Sequence, residues 1–224
     1  MARLVADSGQ LLPFLLQGAR VTLLATLLAA WVALVFAFAA GLARFGAPRV
    51  VRTLATAYVE IFRGTSLIIQ LFYLFFVLPF FGVSLPPLAT GVIGLGLNFG
   101  AYGSEVVRGA INAVPQGQWE AALALNMTHA STMRRIIVPQ AILAMLPPFG
   151  NLLVELLKAT SLLSLIQITD LAFAGTMLFQ STGKSIEIYS LILLIYFAMA
   201  FPMTILVRRL ERRFTFGVSL SRRR

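Results

Sequence analysis

Residues Val21–Ala43 read VTLLATLLAAWVALVFAFAAGLA, 23 consecutive residues without a charge, closed by Arg20 on one side and Arg44 on the other. A helix crosses the hydrocarbon core with about 20 apolar residues, so this run is long enough to span a bilayer. The triplet Ala37-Phe38-Ala39 has the small-x-small form of a cleavage site. The run nevertheless exceeds the roughly 7–15 residues of a signal h-region, and an uncleaved span is expected. The whole 224-residue chain agrees with a membrane reading. It is 59% hydrophobic and 12% charged, where a soluble domain has about 45–50% and about 25%. Charges are too few to cover a soluble surface, and hydrophobicity is too high for disorder. With no cysteine and one histidine, His129, the chain has no disulfide, no thiol catalysis and no multi-histidine metal site of its own.

The remaining uncharged runs extend the pattern. Gly64–Ser104 has 41 residues without a charge, too many for one span. Pro79, Gly82 and Pro86-Pro87 favour turns and divide it into spans near 66–81 and 88–107. A fourth span runs over 136–166, where Pro147-Pro148 should kink or split the helix. A fifth covers 188–207. The expected fold is all-α and integral to the membrane, a single transmembrane domain over 1–224 with five spans of approximate bounds 21–43, 66–81, 88–107, 136–166 and 188–207.

Orientation follows from Lys and Arg in the connecting segments. With the N-terminus outside, the inner side holds Arg44, Arg49, Arg52, Arg63, Arg108, Arg134, Arg135, Arg208, Arg209, Arg212, Arg213 and Arg222–Arg224, while the outer side keeps Arg3, Arg20 and Lys184. The C-terminus is therefore expected inside. There the basic tail Arg208–Arg224 meets anionic lipid and not nucleic acid.

Two glycine motifs carry no nucleotide chemistry. Thr182-Gly183-Lys184-Ser185 resembles the end of a phosphate-binding loop, but the pattern needs glycine where Leu178 stands. Gly94-Leu95-Gly96 with Gly100 lies in an apolar span. Gly96 and Gly100 form a G-x-x-x-G pair, which lets helices approach closely in lipid. Asp7, Glu60, Glu120 and Glu211 read as interfacial charges, His129 as a packing histidine and Arg63 as an interface anchor. No spacing of carboxylate, serine and histidine suggests a hydrolase.

The coupling loop 109–135 is the most informative segment. Pro115 and Gly117 mark a turn, and Gln118–Leu125 is rich in helix formers. Two turns of helix are marginal alone, so this one needs a surface to pack on. Glu120 near its start suits the helix dipole. Asn126 stands where the helix should stop in a left-handed cap. Thr128 can then cap a second short helix through Arg134-Arg135. Trp119, Leu123 and Leu125 give the first helix an apolar side for a partner or lipid to cover.

Glu120-Ala121-Ala122, then Asn126, then Ile136-x-Val138-Pro139 resembles the "EAA" signature of ABC-importer permeases: Glu-Ala-Ala, a glycine four residues on, and Ile-x-Leu-Pro after nine more. Asn126 stands for the glycine and Val138 for the leucine. Ile61–Phe72, Glu105–Gly109, Ala113–Ala122 and Leu156–Leu162 are similar to the polar amino-acid uptake permeases, which usually have proline where Ser66 stands. Within that family the chain resembles the ectoine/hydroxyectoine branch. The resemblance implies a type I importer permease fold and a bacterial inner-membrane location. It implies a second permease chain, identical or related, two ATP-binding subunits and an extracytoplasmic solute-binding protein. The chain would hold no cofactor, since ATP belongs to the partner. Glu120, Ala121, Ala122 and Asn126 would form the ATPase-coupling contact. A channel or ion-coupled carrier working without ATP is the alternative, and it has no need of such a helix.

Polar residues inside spans are costly and should face the path or a partner. Gln70, Asn98, Tyr102, Glu105, Glu155 and Lys158 are the candidates. Glu155 and Lys158 share a helical face at i,i+3. They could bind the two ends of a zwitterionic cargo, a polar amino acid or compatible solute, or form a structural ion pair.

Overall fold

The computed structural model describes residues 2–219, with side chains described for 12–209. Arg222, Arg223 and Arg224 of the basic tail lie outside the described residues, as do the side chains of Arg3, Arg212 and Arg213. All regular structure among the described residues is helical. In chain order the α-helices are α1 (Ala2–Gly46), α2 (Arg49–Gly64), α3 (Leu67–Phe72), α4 (Pro87–Asn112), α5 (Gln116–Ala124), α6 (His129–Thr132), α7 (Val138–Ala159), α8 (Leu171–Thr182) and α9 (Ser185–Ser219).

Among the described residues three helices are long and apolar enough to cross a bilayer: Leu12–Gly46, His129–Ile166 and Ser185–Arg209. Arg49–Gly64 and Leu67–Phe81 pass the same test only as a pair, bent by 106° at the break between Gly64 and Leu67, and count as a fourth where the pair is taken as one span. The remaining expected span, 88–107, falls in α4. At 26 residues and 1.5 Å per residue α4 is about 39 Å long, enough to cross. It misses the apolarity of the others because it carries Asn98, Glu105 and Arg108 among many glycines. A helix enclosed by protein needs no lipid-compatible surface, and Val92, Leu95, Asn98, Phe99, Ala101, Ser104 and Val107 of α4 are all buried.

Pro147-Pro148 neither splits nor ends its helix. α7 runs unbroken through both. Proline's fixed φ is itself helical, and membrane helices tolerate the lost bonds when neighbours hold the segment. Here Met145 is buried and the ring of Phe149 stacks on Phe38 at 5.7 Å. The short helix expected to end at Arg134-Arg135 also continues. After α6 the chain makes a π-helical turn over Met133–Ile137 and passes directly into α7. Arg134 and Arg135 are exposed while Ile137 is fully buried, so the register suits a continuing amphipathic helix.

The described chain divides into two compact units. One comprises residues 2–32, 66–96 and 153–203, the other 33–65, 97–152 and 204–219, and α1, α4, α7 and α9 contribute to both. The core of the first gathers Leu15, Ala19, Leu171, Ala174, Ile188 and Ile192. In the second, Val107, Ile111, Val114, Ile137, Ala141 and Met145 pack together with Phe38, Phe45 and Phe149. Small residues of α4 admit α1 in each unit. In the first, a Cβ on Gly96 would meet Val32 at 2.5 Å. In the second, one on Gly100 would meet Phe36 at 2.8 Å, and one on Gly103 would meet Ala37 at 2.7 Å.

Candidate functional site

The loop after α4 builds a tethered helix with one free side. Pro115 precedes α5 at φ −53°, and the run Gln-Gly-Gln-Trp-Glu-Ala-Ala-Leu-Ala has strong formers at every position but Gly117 and Trp119. The helix ends in a Schellman motif. Asn126 adopts φ +53°, its N–H donates to the Leu123 carbonyl at 2.9 Å, and the Met127 N–H donates to the Ala122 carbonyl at 3.0 Å. Asparagine tolerates this left-handed position better than other side chains. Thr128 then caps α6, its hydroxyl accepting from the Ser131 N–H at 3.3 Å.

Two faces of α5 differ sharply. Ala122 is buried, and Trp119 packs on the core of the second unit with its ring 6.1 Å from that of His129. Gln140 of α7 donates to the side-chain oxygen of Gln118 at 3.3 Å. On the other side Leu123 and Leu125 are 76% and 74% exposed, and Glu120 and Ala121 are exposed too. Trp119 therefore does not share the free apolar face with Leu123 and Leu125; it anchors the helix to its own chain. Because α5 begins at Gln116, Glu120 sits beyond the first turn, where the dipole contributes little. Glu120 makes no ion pair among the described residues.

The second unit also draws polar side chains together. The Asn98 amide donates to the Phe62 carbonyl at 3.0 Å, and the Tyr58 hydroxyl donates to the Leu97 carbonyl at 2.6 Å. Glu105 of α4 accepts from Arg44 at the end of α1 through one carboxylate oxygen. It accepts from Arg108 through the other, at 2.7 and 2.8 Å. Arg63 of α2 lies 3.7 Å from the same carboxylate, with its guanidinium 5.4 Å from the centre of the Tyr102 ring. Arg63, read from the sequence as an interface anchor, is thus also an ion-pair partner of Glu105.

The first unit holds Gln70, half-buried on α3, and Glu155 and Lys158, both exposed on α7. No ion pair joins Glu155 to Lys158 among the described residues. This unit also contains a carboxylate that sequence reasoning missed. Asp170 is buried and caps α8, accepting from the Phe173 N–H at 2.9 Å. The Tyr196 hydroxyl donates to its other oxygen at 3.5 Å, and Thr22 of α1 accepts from the Leu171 N–H at 3.1 Å. An aspartate directly before the apolar run Leu171–Phe179 was the available signal. Thr182-Gly183-Lys184-Ser185 is the turn between α8 and α9, with Gly183 at φ +68°. Among the described residues no three His, Asp or Glu gather to hold a metal.

The fold is that of a helical membrane protein with a short tethered signature helix, and comparison with known proteins makes its class specific. Residues 33–216 match the family described as the binding-protein-dependent transport system inner membrane component. A probable amino-acid ABC transporter permease of Sinorhizobium fredii is 43% identical over 205 residues, covering 89% of this chain and 86% of the relative. The L-cystine transport system permease of Bacillus subtilis is 37% identical over 202 residues, covering 90% and 86%. A crystal structure of an amino acid ABC transporter with histidines superposes with a TM-score of 0.88 at 34% identity, covering 93% of this chain and 97% of that one. The chain belongs to this permease family. It is a multi-pass inner-membrane permease subunit of an ABC amino-acid importer, not an enzyme and not an ATP-independent carrier.

Proposed function

We propose that the chain forms half of the translocation path for a small zwitterion, and that α5 delivers the ATPase stroke to it. A second permease chain, two ATP-binding subunits and an extracytoplasmic binding protein complete the machine. The N-terminus faces outward and the C-terminus inward, crossing five times with α4 as the enclosed span. The observation that carries the reading is the division of α5. Trp119 and Ala122 tie it to the core around α4 and α7, while Glu120, Ala121, Leu123 and Leu125 stay free. A push on the free side is passed to the core through packed contacts and through the π-helical turn into α7. Gln70, Asn98, Tyr102, Glu155 and Lys158 are the path candidates, and Gly96 and Gly100 admit α1 beside α4. The cargo is a polar amino acid or a compatible solute of the ectoine type, selected chiefly by the binding protein.

The test is co-purification with the ATPase and ATP-driven uptake in proteoliposomes. Glu120→Lys, on the exposed side, should lower ATPase retention by about tenfold or more, as loss of a charged interface contact does. Undiminished retention, or a wild-type chain that never captures an ATPase, would sink the coupling assignment. A cargo screen on the binding protein decides between amino acid and compatible solute.

A further inference from the structure

We propose that the polar face of α2 is a wall of the water-filled path, and that Arg63 is the residue on it that receives the carboxylate of the cargo. This rests on the permease reading above. At 100° per residue, α2 divides into three faces. Tyr58, Val59 and Phe62 face the protein, with Val59 fully buried. Val50, Leu54, Ala57 and Ile61 form an exposed apolar stripe. The third face carries Arg49, Arg52, Thr53, Thr56, Glu60 and Arg63, all exposed except the half-buried Thr56.

The depth of this face decides its surroundings. α1 ends at Gly46, and α2 packs back along it: the Tyr58 ring lies 5.7 Å from that of Phe36. Phe36 is eight residues before Arg44, or about 12 Å along the helix. Glu60 and the backbone of Arg63 lie beyond Tyr58 and so stand at hydrocarbon depth, while the Arg63 guanidinium reaches back to the Glu105 carboxylate beside Arg44. Acyl chains can cover the apolar stripe but not these charges. Glu60 makes no ion pair among the described residues, which leaves water as its solvent.

Arg63 is the guanidinium with spare capacity. Three arginines share the single carboxylate of Glu105, so the cluster carries surplus positive charge. Arg44 and Arg108 hold the two oxygens closely, whereas Arg63 stands at 3.7 Å; its side chain is about as exposed as that of Arg108, 39% against 43%. Its planar donors fit a carboxylate in a forked pair. A zwitterionic solute supplies that group.

The chain has no cysteine, so single cysteines can be read without background. In the full chain assembled with its ATPase in proteoliposomes, charged membrane-impermeant methanethiosulfonates report water at each position. Thr53→Cys and Thr56→Cys should react about tenfold faster or more than Leu54→Cys and Ala57→Cys, since only hydrated thiolate reacts. At Thr56→Cys, the rate with the anionic sulfonate reagent relative to the cationic ammonium reagent should fall about threefold or more in Arg63→Gln. If Arg63→Gln does not assemble, the same ratio in the Arg63 protein should fall as salt rises from about 20 mM to about 500 mM. Equal rates on the two stripes would overturn the wall, as would disulfide cross-links between two copies through Thr53→Cys. A ratio indifferent to both Arg63 and salt would overturn the carboxylate assignment. The labelling needs neither ATP nor cargo, so it can fail while ATP-driven uptake persists. Loss of that uptake would in turn sink the importer reading alone.

Discussion

Glu105 and Asp170 are carboxylates withdrawn from bulk water, one in each compact unit, and the chain satisfies them by opposite means. Glu105 meets three guanidiniums. Among the described residues Asp170 meets no cation. Its partners are the Phe173 N–H and the Tyr196 hydroxyl, and burial pushes its pKa from 3.8 up to about 6. The first arrangement holds a charge and leaves positive charge over. The second holds its carboxylate with an N–H and a hydroxyl alone and raises its proton affinity instead. A carboxylate beside surplus arginine suits a surface that must attract an anion. A cap satisfied by neutral donors suits a joint between α1, α8 and α9 that must only hold.

The largest expected effect comes from breaking the first arrangement. Glu105→Gln leaves three guanidiniums facing one another. Removing one partner of a fully buried pair costs about 3–5 kcal/mol, and the partial exposure here lowers that to about 2 kcal/mol. A thermal scan of the detergent-solubilised chain should show the drop, and adding Arg108→Gln should recover part of it. An unchanged midpoint would mean that the cluster stores no electrostatic work.

The second arrangement is sharpened by pH. A carboxyl whose folded pKa is raised contributes stability below about pH 4, and that contribution is lost as pH rises through 6. The wild-type midpoint should therefore fall across that window. Asp170→Asn keeps an oxygen for the Phe173 N–H and cannot ionise, so its midpoint should lack that fall. Parallel slopes for the two proteins would remove Asp170 from the account.

The smallest effect compares two left-handed helix ends, one per unit. Asn126 at φ +53° and Gln167 at φ +61° both close Schellman motifs. Glycine at either position relieves the Cβ conflict, worth up to about 1 kcal/mol. The gain should be larger for Gln167→Gly than for Asn126→Gly, because asparagine already tolerates the region. Denaturation midpoints of the two variants give the order directly, and the reverse order would refute it.

The apolar runs, the signature helix and its stop at Asn126 were legible because each depends on local chemistry: solvent-incompatible side chains, helix propensity and a tolerated left-handed residue. α2 was harder to see, since its charges interrupt the hydrophobic run that marks a span. Its three-faced periodicity was the available signal. The course of the chain through Pro147-Pro148 and past Arg135 was not legible either, because neighbouring packing outweighs local helix-breaking tendencies there.

By itself the sequence determined that this chain lives in a membrane, that it has a short helix with the signature pattern closed at Asn126, and that it resembles importer permeases. Those follow from composition and from residues adjacent in the chain. Only the tertiary structure decided that Trp119 turns inward while Leu123 turns outward, that Arg44, Arg63 and Arg108 converge on Glu105, and that Asp170 is buried beside Tyr196. Each of these joins residues far apart along the chain. Their energies come from desolvation and charge at close range, and neither exists until the helices are packed.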